Sequence, residues 1–62
     1  MRKAFINEDI QILVAWDFVK LKKGTEIIFI RDNGNKTFYI ELKKGKYKGR
    51  RISIDPEVIA LK

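Results

Sequence analysis

Apolar and polar residues alternate most cleanly along Thr37-Phe38-Tyr39-Ile40-Glu41-Leu42-Lys43. Phe38, Ile40 and Leu42 share one face, and Thr37, Tyr39, Glu41 and Lys43 the other. A period of two predicts a strand with one side buried. The preceding run Thr25-Glu26-Ile27-Ile28-Phe29-Ile30-Arg31 is rich in strand-forming residues and predicts a second strand, partly buried on both faces. Between them lies Asp32-Asn33-Gly34-Asn35, and Asn-Gly between two such runs is a hairpin signal. Arg51-Ile52-Ser53-Ile54 alternates again, and Gly45 sits where a second hairpin should turn. Asp55-Pro56-Glu57-Val58 has an N-cap residue, a proline suited to the first helical position and an acid for the positive end of the dipole. With so little chain left, it predicts a single 3₁₀ turn near residues 55–58, and Ile59-Ala60-Leu61 then closes the sheet.

Residues 7–22 read two ways. Ile10, Leu13, Val14, Phe18 and Leu21 have helical spacing and Asn7 is a possible cap, but Ile12, Trp16 and Val19 fall on the opposite side of that helix. The Ile, Val, Trp and Phe content favours a strand or an irregular hairpin, and that is the reading adopted. Short strands joined by tight turns predict an all-β domain spanning residues 1–62, built as a small five-stranded barrel.

Two segments resemble SH3 domains. Leu21-Lys22-Lys23-Gly24-Thr25-Glu26-Ile27-Ile28-Phe29 is similar to their diverging turn and following strand. Gly49 to Leu61 resembles their ending, where a Gly-containing turn leads into a strand, a 3₁₀ turn and a final Val-Ala-Leu strand. The resemblance covers most of the chain from Leu21 onward and implies an SH3-like barrel. It does not carry proline-rich peptide recognition with it, because the family's groove Tyr, Trp, Pro and second Tyr fall at or near Ile6, Phe38, Asp55 and Val58. The fold is then a scaffold whose function must be read from elsewhere.

Composition narrows the chemistry. The 62 residues include no Cys and no His, which excludes thiol catalysis, Ser-His-Asp chemistry and the usual zinc sites. The absence of Cys fits a cytoplasmic location. No apolar run approaches the roughly 20 residues of a membrane span. The opening residues turn acidic too soon for a signal peptide. Glu8, Asp9, Asp17, Glu26, Asp32, Glu41, Asp55 and Glu57 are scattered, and no phosphate-binding Gly-Lys-Ser/Thr motif is present. A barrel of this size also has little room for a ligand cavity. We therefore expect a non-enzymatic binding module with no cofactor, no metal and no small-molecule substrate.

Charge then points to one segment. Lys43-Lys44-Gly45-Lys46-Tyr47-Lys48-Gly49-Arg50-Arg51 holds six positive charges and no negative one, while the rest of the chain has eight of each sign. The whole formal net charge of +6 is concentrated there. Such a cluster favours a polyanion, most directly DNA or RNA. Lys43, Lys44, Lys46, Lys48, Arg50 and Arg51 would meet phosphates, releasing counterions, and Tyr47 would stack on a base. If the segment is regular strand, Lys44, Lys46 and Lys48 share one face, and Lys43, Tyr47 and Arg51 the other. The run Gly45-Lys46-Tyr47-Lys48-Gly49-Arg50 also resembles the Gly/Lys loop of KOW-type modules.

Other readings stand beside this one. A Lys-rich hairpin also serves as a solvated loop that discourages edge pairing. An acidic protein is the alternative partner, as for a phage- or mobile-element-encoded regulator docking on a host protein. Trp16 is expected in the core or at its rim, with an exposed stacking or partner-contact role as the alternative. Tyr39, on the polar face of its strand, is a second stacking candidate. Lys20, Lys22 and Lys23 form a smaller basic group.

Overall fold

The structure, a computed structural model, describes residues 2–61 and is all-β apart from one 3₁₀ turn. Its strands are β1 (Arg2–Ile6), β2 (Ile10–Val14), β3 (Asp17–Leu21), β4 (Glu26–Asp32), β5 (Phe38–Leu42), β6 (Arg51–Ile54) and β7 (Ile59–Leu61). Five of them form an antiparallel sheet in the order β6-β5-β4-β1-β7, and β2 and β3 form a separate hairpin. The chain thus has seven strands among the described residues rather than five. The hydrogen-bonded sheets do not join into a closed barrel.

Alternation decides which side of each strand is buried. Ala4 and Ile6 of β1, Ile27 of β4, Ile40 and Leu42 of β5, Ile54 of β6 and Ile59 of β7 all reach the core. Phe29 and Phe38 flank it as an edge-to-face pair with centroids 5.0 Å apart. The register of β4 against β5 shifts between Phe29 and Arg31, a bulge at Ile30 that lets this long strand bend around the core.

The β2–β3 hairpin covers the other side. Its inner residues Ile10, Ile12, Val14, Val19 and Leu21 join the core cluster, and Val14 and Leu21 are buried. Residues 7–22 are therefore a hairpin and not a helix. In a strand of period two, Ile12 and Val19 fall on the inner face with Ile10 and Leu21. Helical spacing would set them apart. Asn7, a possible helix cap by sequence, instead donates its backbone N–H to the Val58 carbonyl and its side-chain amide to Glu57 O, both at 2.9 Å.

The turns follow their sequence chemistry in three places. Gly24 adopts a φ of 91° in the turn from β3 to β4, where its N–H donates to Ile6 O at 2.7 Å. The β4–β5 connection is longer than a two-residue Asn-Gly turn. Gly34 and Lys36 both take positive φ, and Asn33 N–H closes the loop on Thr37 O at 3.0 Å. Asp55 caps the 3₁₀ turn Pro56–Val58, accepting from Glu57 N–H at 2.9 Å.

A core this small leaves little reserve, on the order of 3–5 kcal/mol for a domain under about 70 residues. Ile27 and Ile40 are fully buried. Ile40→Val is expected to cost about 1 kcal/mol and Ile27→Ala about 2–5 kcal/mol. Urea unfolding should therefore show a lowered midpoint for the first and a largely unfolded chain for the second.

Candidate functional site

The basic segment does not continue the strands. β5 ends at Leu42 and β6 starts at Arg51, so residues 43–50 form a loop, pinched at its base by Leu42 N–H to Arg50 O (2.9 Å) and Gly49 N–H to Leu42 O (2.7 Å). Gly45 and Gly49 both sit at φ 90°, and tight turns link Gly45 to Lys48 and Tyr47 to Arg50. The alternating faces expected for Lys44, Lys46 and Lys48 against Lys43, Tyr47 and Arg51 do not form, because two left-handed glycines break the strand period.

The loop instead distributes its cations by their partners. On the outer face of the five-stranded sheet, Lys43 pairs with Glu26, and Arg51 Nε donates to Glu41 Oε1 at 3.0 Å. Glu26 is held below the ordinary carboxylate range, chiefly by the Lys43 ammonium. On the other side, Lys46 Nζ lies 3.2 Å from Asp17 Oδ2, and the Tyr47 hydroxyl donates to the same oxygen at 2.9 Å. Lys44, Lys48 and Arg50 are exposed, and no salt bridge engages them among the described residues. Tyr47 is half-buried against the core cluster, so its ring is partly covered and its hydroxyl already engaged.

Asp17 is the joint between the loop and the hairpin. Tyr47 and then Lys46 hold its carboxyl below the ordinary value, and Asp17 raises Lys46 in return. Between β3 and the loop runs a cleft of about 460 Å³, to which Lys20 contributes from one wall and Lys44 and Lys46 from the other. Of the smaller basic group, Lys20 thus joins the main one. Lys22 and Lys23 stay exposed in the turn before β4, with Lys23 N–H on Asp9 Oδ1 at 2.8 Å.

Trp16 is not in the core or at its rim. It is 93% exposed at the tip of the β2–β3 hairpin. Val14 pairs directly with Asp17, so Ala15 and Trp16 form a two-residue turn with φ of 50° and 64°. That is the type I′ geometry, which Asn-Gly normally fills and which costs a residue with a Cβ about 1–2 kcal/mol. Leu13 and Phe18, paired across the hairpin's outer face, are 52% and 68% exposed. Hairpin turns seldom read Ala-Trp, so no turn signal marked this tip. Tyr39 lies elsewhere, on the outer face of the five-stranded sheet, half-buried with the Arg31 guanidinium 5.1 Å from its ring centroid. The four positions at which the sequence resemblance would put a peptide groove hold no exposed aromatic: Ile6 is core, Phe38 packs on Phe29, Val58 packs on the core and Asp55 caps.

Among the described residues no group of three His, Cys, Asp or Glu side chains is placed to hold a metal, and no helix is long and apolar enough to cross a membrane. In comparison with known proteins, no family model, no curated protein and no solved structure matches the chain.

The Asp17 contact has a definite pH signature. A depressed carboxyl contributes stability that is present above its unfolded value, near 3.9, and is lost as pH falls through the lower folded value. Acid titration followed by the backbone amide shifts of residues 16–18 and 46–47 should show the contact between hairpin tip and loop loosening below about pH 4. In Asp17→Asn this transition should disappear, and the shifts at neutral pH should already match the loosened form.

Proposed function

We propose that this chain is a non-enzymatic, SH3-like binding module of the cytoplasm that holds nucleic acid through phosphates, with little sequence specificity. The SH3-like assignment draws support from two features. The turn Lys22–Thr25 joins a preceding hairpin to β4, and the 3₁₀ turn precedes a last strand that pairs with the first.

The cleft between β3 and the basic loop carries the functional reading. Lys20, Lys44 and Lys46 converge there from two elements with Asp17 as the one carboxylate among its lining residues, and Lys48 and Arg50 extend the positive surface along the loop. A phosphate backbone relieves the mutual repulsion of such a group and releases counterions as it binds. Lys43 and Arg51 contribute less, because Glu26 and Glu41 already neutralise them. A second reading, a protein-interaction module, is favoured by the exposed Leu13, Trp16 and Phe18 at the hairpin tip.

The division between paired and unpaired cations makes the first reading quantitative. Cations with a carboxylate partner release few counterions. If Lys20 and all six loop cations met phosphates, log K for duplex DNA would fall with log salt at a slope of about −6, against about −4 for Lys20, Lys44, Lys48 and Arg50, which no carboxylate pairs among the described residues. The shallower slope is expected. Arg50→Ala should flatten it by about one unit and Arg51→Ala by much less. Absence of binding to DNA and RNA at low salt and micromolar protein would refute the reading.

A further inference from the structure

The hairpin tip combines three features that packing does not explain. Its aromatic and aliphatic side chains Leu13, Trp16 and Phe18 are all exposed. Its turn holds Ala15 and Trp16 at positive φ, where Asn-Gly would be at ease. And it is fastened by Asp17 directly beside Lys46 of the basic loop, with Lys20 two residues beyond Phe18 on the same outer face of β3. A tryptophan 93% exposed in a strained turn adds almost no burial to the core. Beside lysines it has the composition of a stacking platform, with ring faces for bases and ammonium groups for the phosphates between them.

We propose that this tip reads single-stranded nucleic acid, stacking unpaired bases on Trp16 and Phe18 while Lys20 and Lys44, which line the adjoining cleft with Phe18, hold the phosphates. The inference rests on the nucleic-acid reading above and adds to it the strandedness of the ligand. The stacking of the ligand itself selects single strands. Bases in a duplex repeat about every 3.4 Å along each strand. Each base face is thereby covered by the next, which leaves the rings nothing to stack on. The charge around the tip selects a polyanion over an apolar protein surface: Lys20 and Lys44 line the cleft beside Phe18, and Asp17, its one carboxylate, is already engaged by Tyr47 and Lys46.

Trp16 is the single tryptophan of the chain, so its emission reports directly on the tip. The test titrates the full chain with an oligothymidylate of about 12 nucleotides, within the span of common single-strand sites, and with a duplex of the same length at low salt. Binding of the single strand about tenfold or more tighter than the duplex, with quenched Trp16 emission, is expected. Trp16→Ala should weaken the single strand by roughly tenfold to a hundredfold and leave the duplex unchanged. The double variant Ala15→Asn/Trp16→Gly should raise the thermal midpoint, since it fits the turn, and still lose the single-strand preference, which separates loss of stacking from loss of fold. Equal affinity for both nucleic acids with unchanged emission overturns the stacking proposal and leaves phosphate binding standing. Retained preference in the double variant overturns it as well. Binding to neither removes both readings, and the exposed tip then belongs to a protein partner.

Discussion

A sheet with one apolar face must be covered, and this chain has a single hairpin with which to do it. The five-stranded sheet presents Ile6, Ile27, Ile40, Leu42 and Ile54 on one side. β2 and β3 supply Val14 and Leu21 against them, together with Ile10, Ile12 and Val19. No backbone hydrogen bond joins residues 10–21 to the larger sheet among the described residues. The closure therefore rests on side-chain burial and on Asp17 at the hairpin's tip, while Lys23 N–H to Asp9 ties the hairpin's own two ends together. With no disulfide to constrain the unfolded chain, those few contacts decide whether the core stays dry.

The same constraint organises the charges. A loop of six cations beside a sheet would repel itself, and the fold answers by sending carboxylates from three strands toward it: Asp17 from β3, Glu26 from β4 and Glu41 from β5. Exposed ion pairs of this kind add little stability. What they do is orient. Lys43 and Arg51 are held to the outer face and Lys46 to the hairpin, so the cations without carboxylate partners stand on the remaining loop surface and around the cleft. The basic segment, uniform in sequence, becomes a surface with a paired side and an available side.

Much of the sheet was legible from residue order. Phe38, Ile40 and Leu42 mark β5 by strict alternation, and Asp55-Pro56 marks the 3₁₀ turn through cap chemistry. The hairpin was harder because Leu13 and Phe18 place apolar residues on its exposed face and so mask the period of two. Trp16 departs from the sequence expectation for a related reason: residue size points to the core, and the two-residue turn at positive φ carries it outward. The charge cluster was plain in sequence, but its partners were not. Lys46 meets Asp17 across 29 residues and Lys43 meets Glu26 across 17, and nothing local announces either pair. The expected stacking of Tyr47 belongs to the same class, since its hydroxyl is engaged 30 residues away.

The separate hairpin also gives this small domain two levels of cooperativity. Amides in β1, β4 and β5 are shielded from solvent exchange by the ladders of the larger sheet and are released only when that sheet opens. Those of β2 and β3 depend on each other and on a few side chains, so they can exchange through a partial opening in which the hairpin lifts as a unit. A molecule that spans the hairpin tip and the basic loop bridges the two parts and suppresses that partial opening. Its occupancy would register first as slowed exchange in β2 and β3, with the larger sheet almost unaffected.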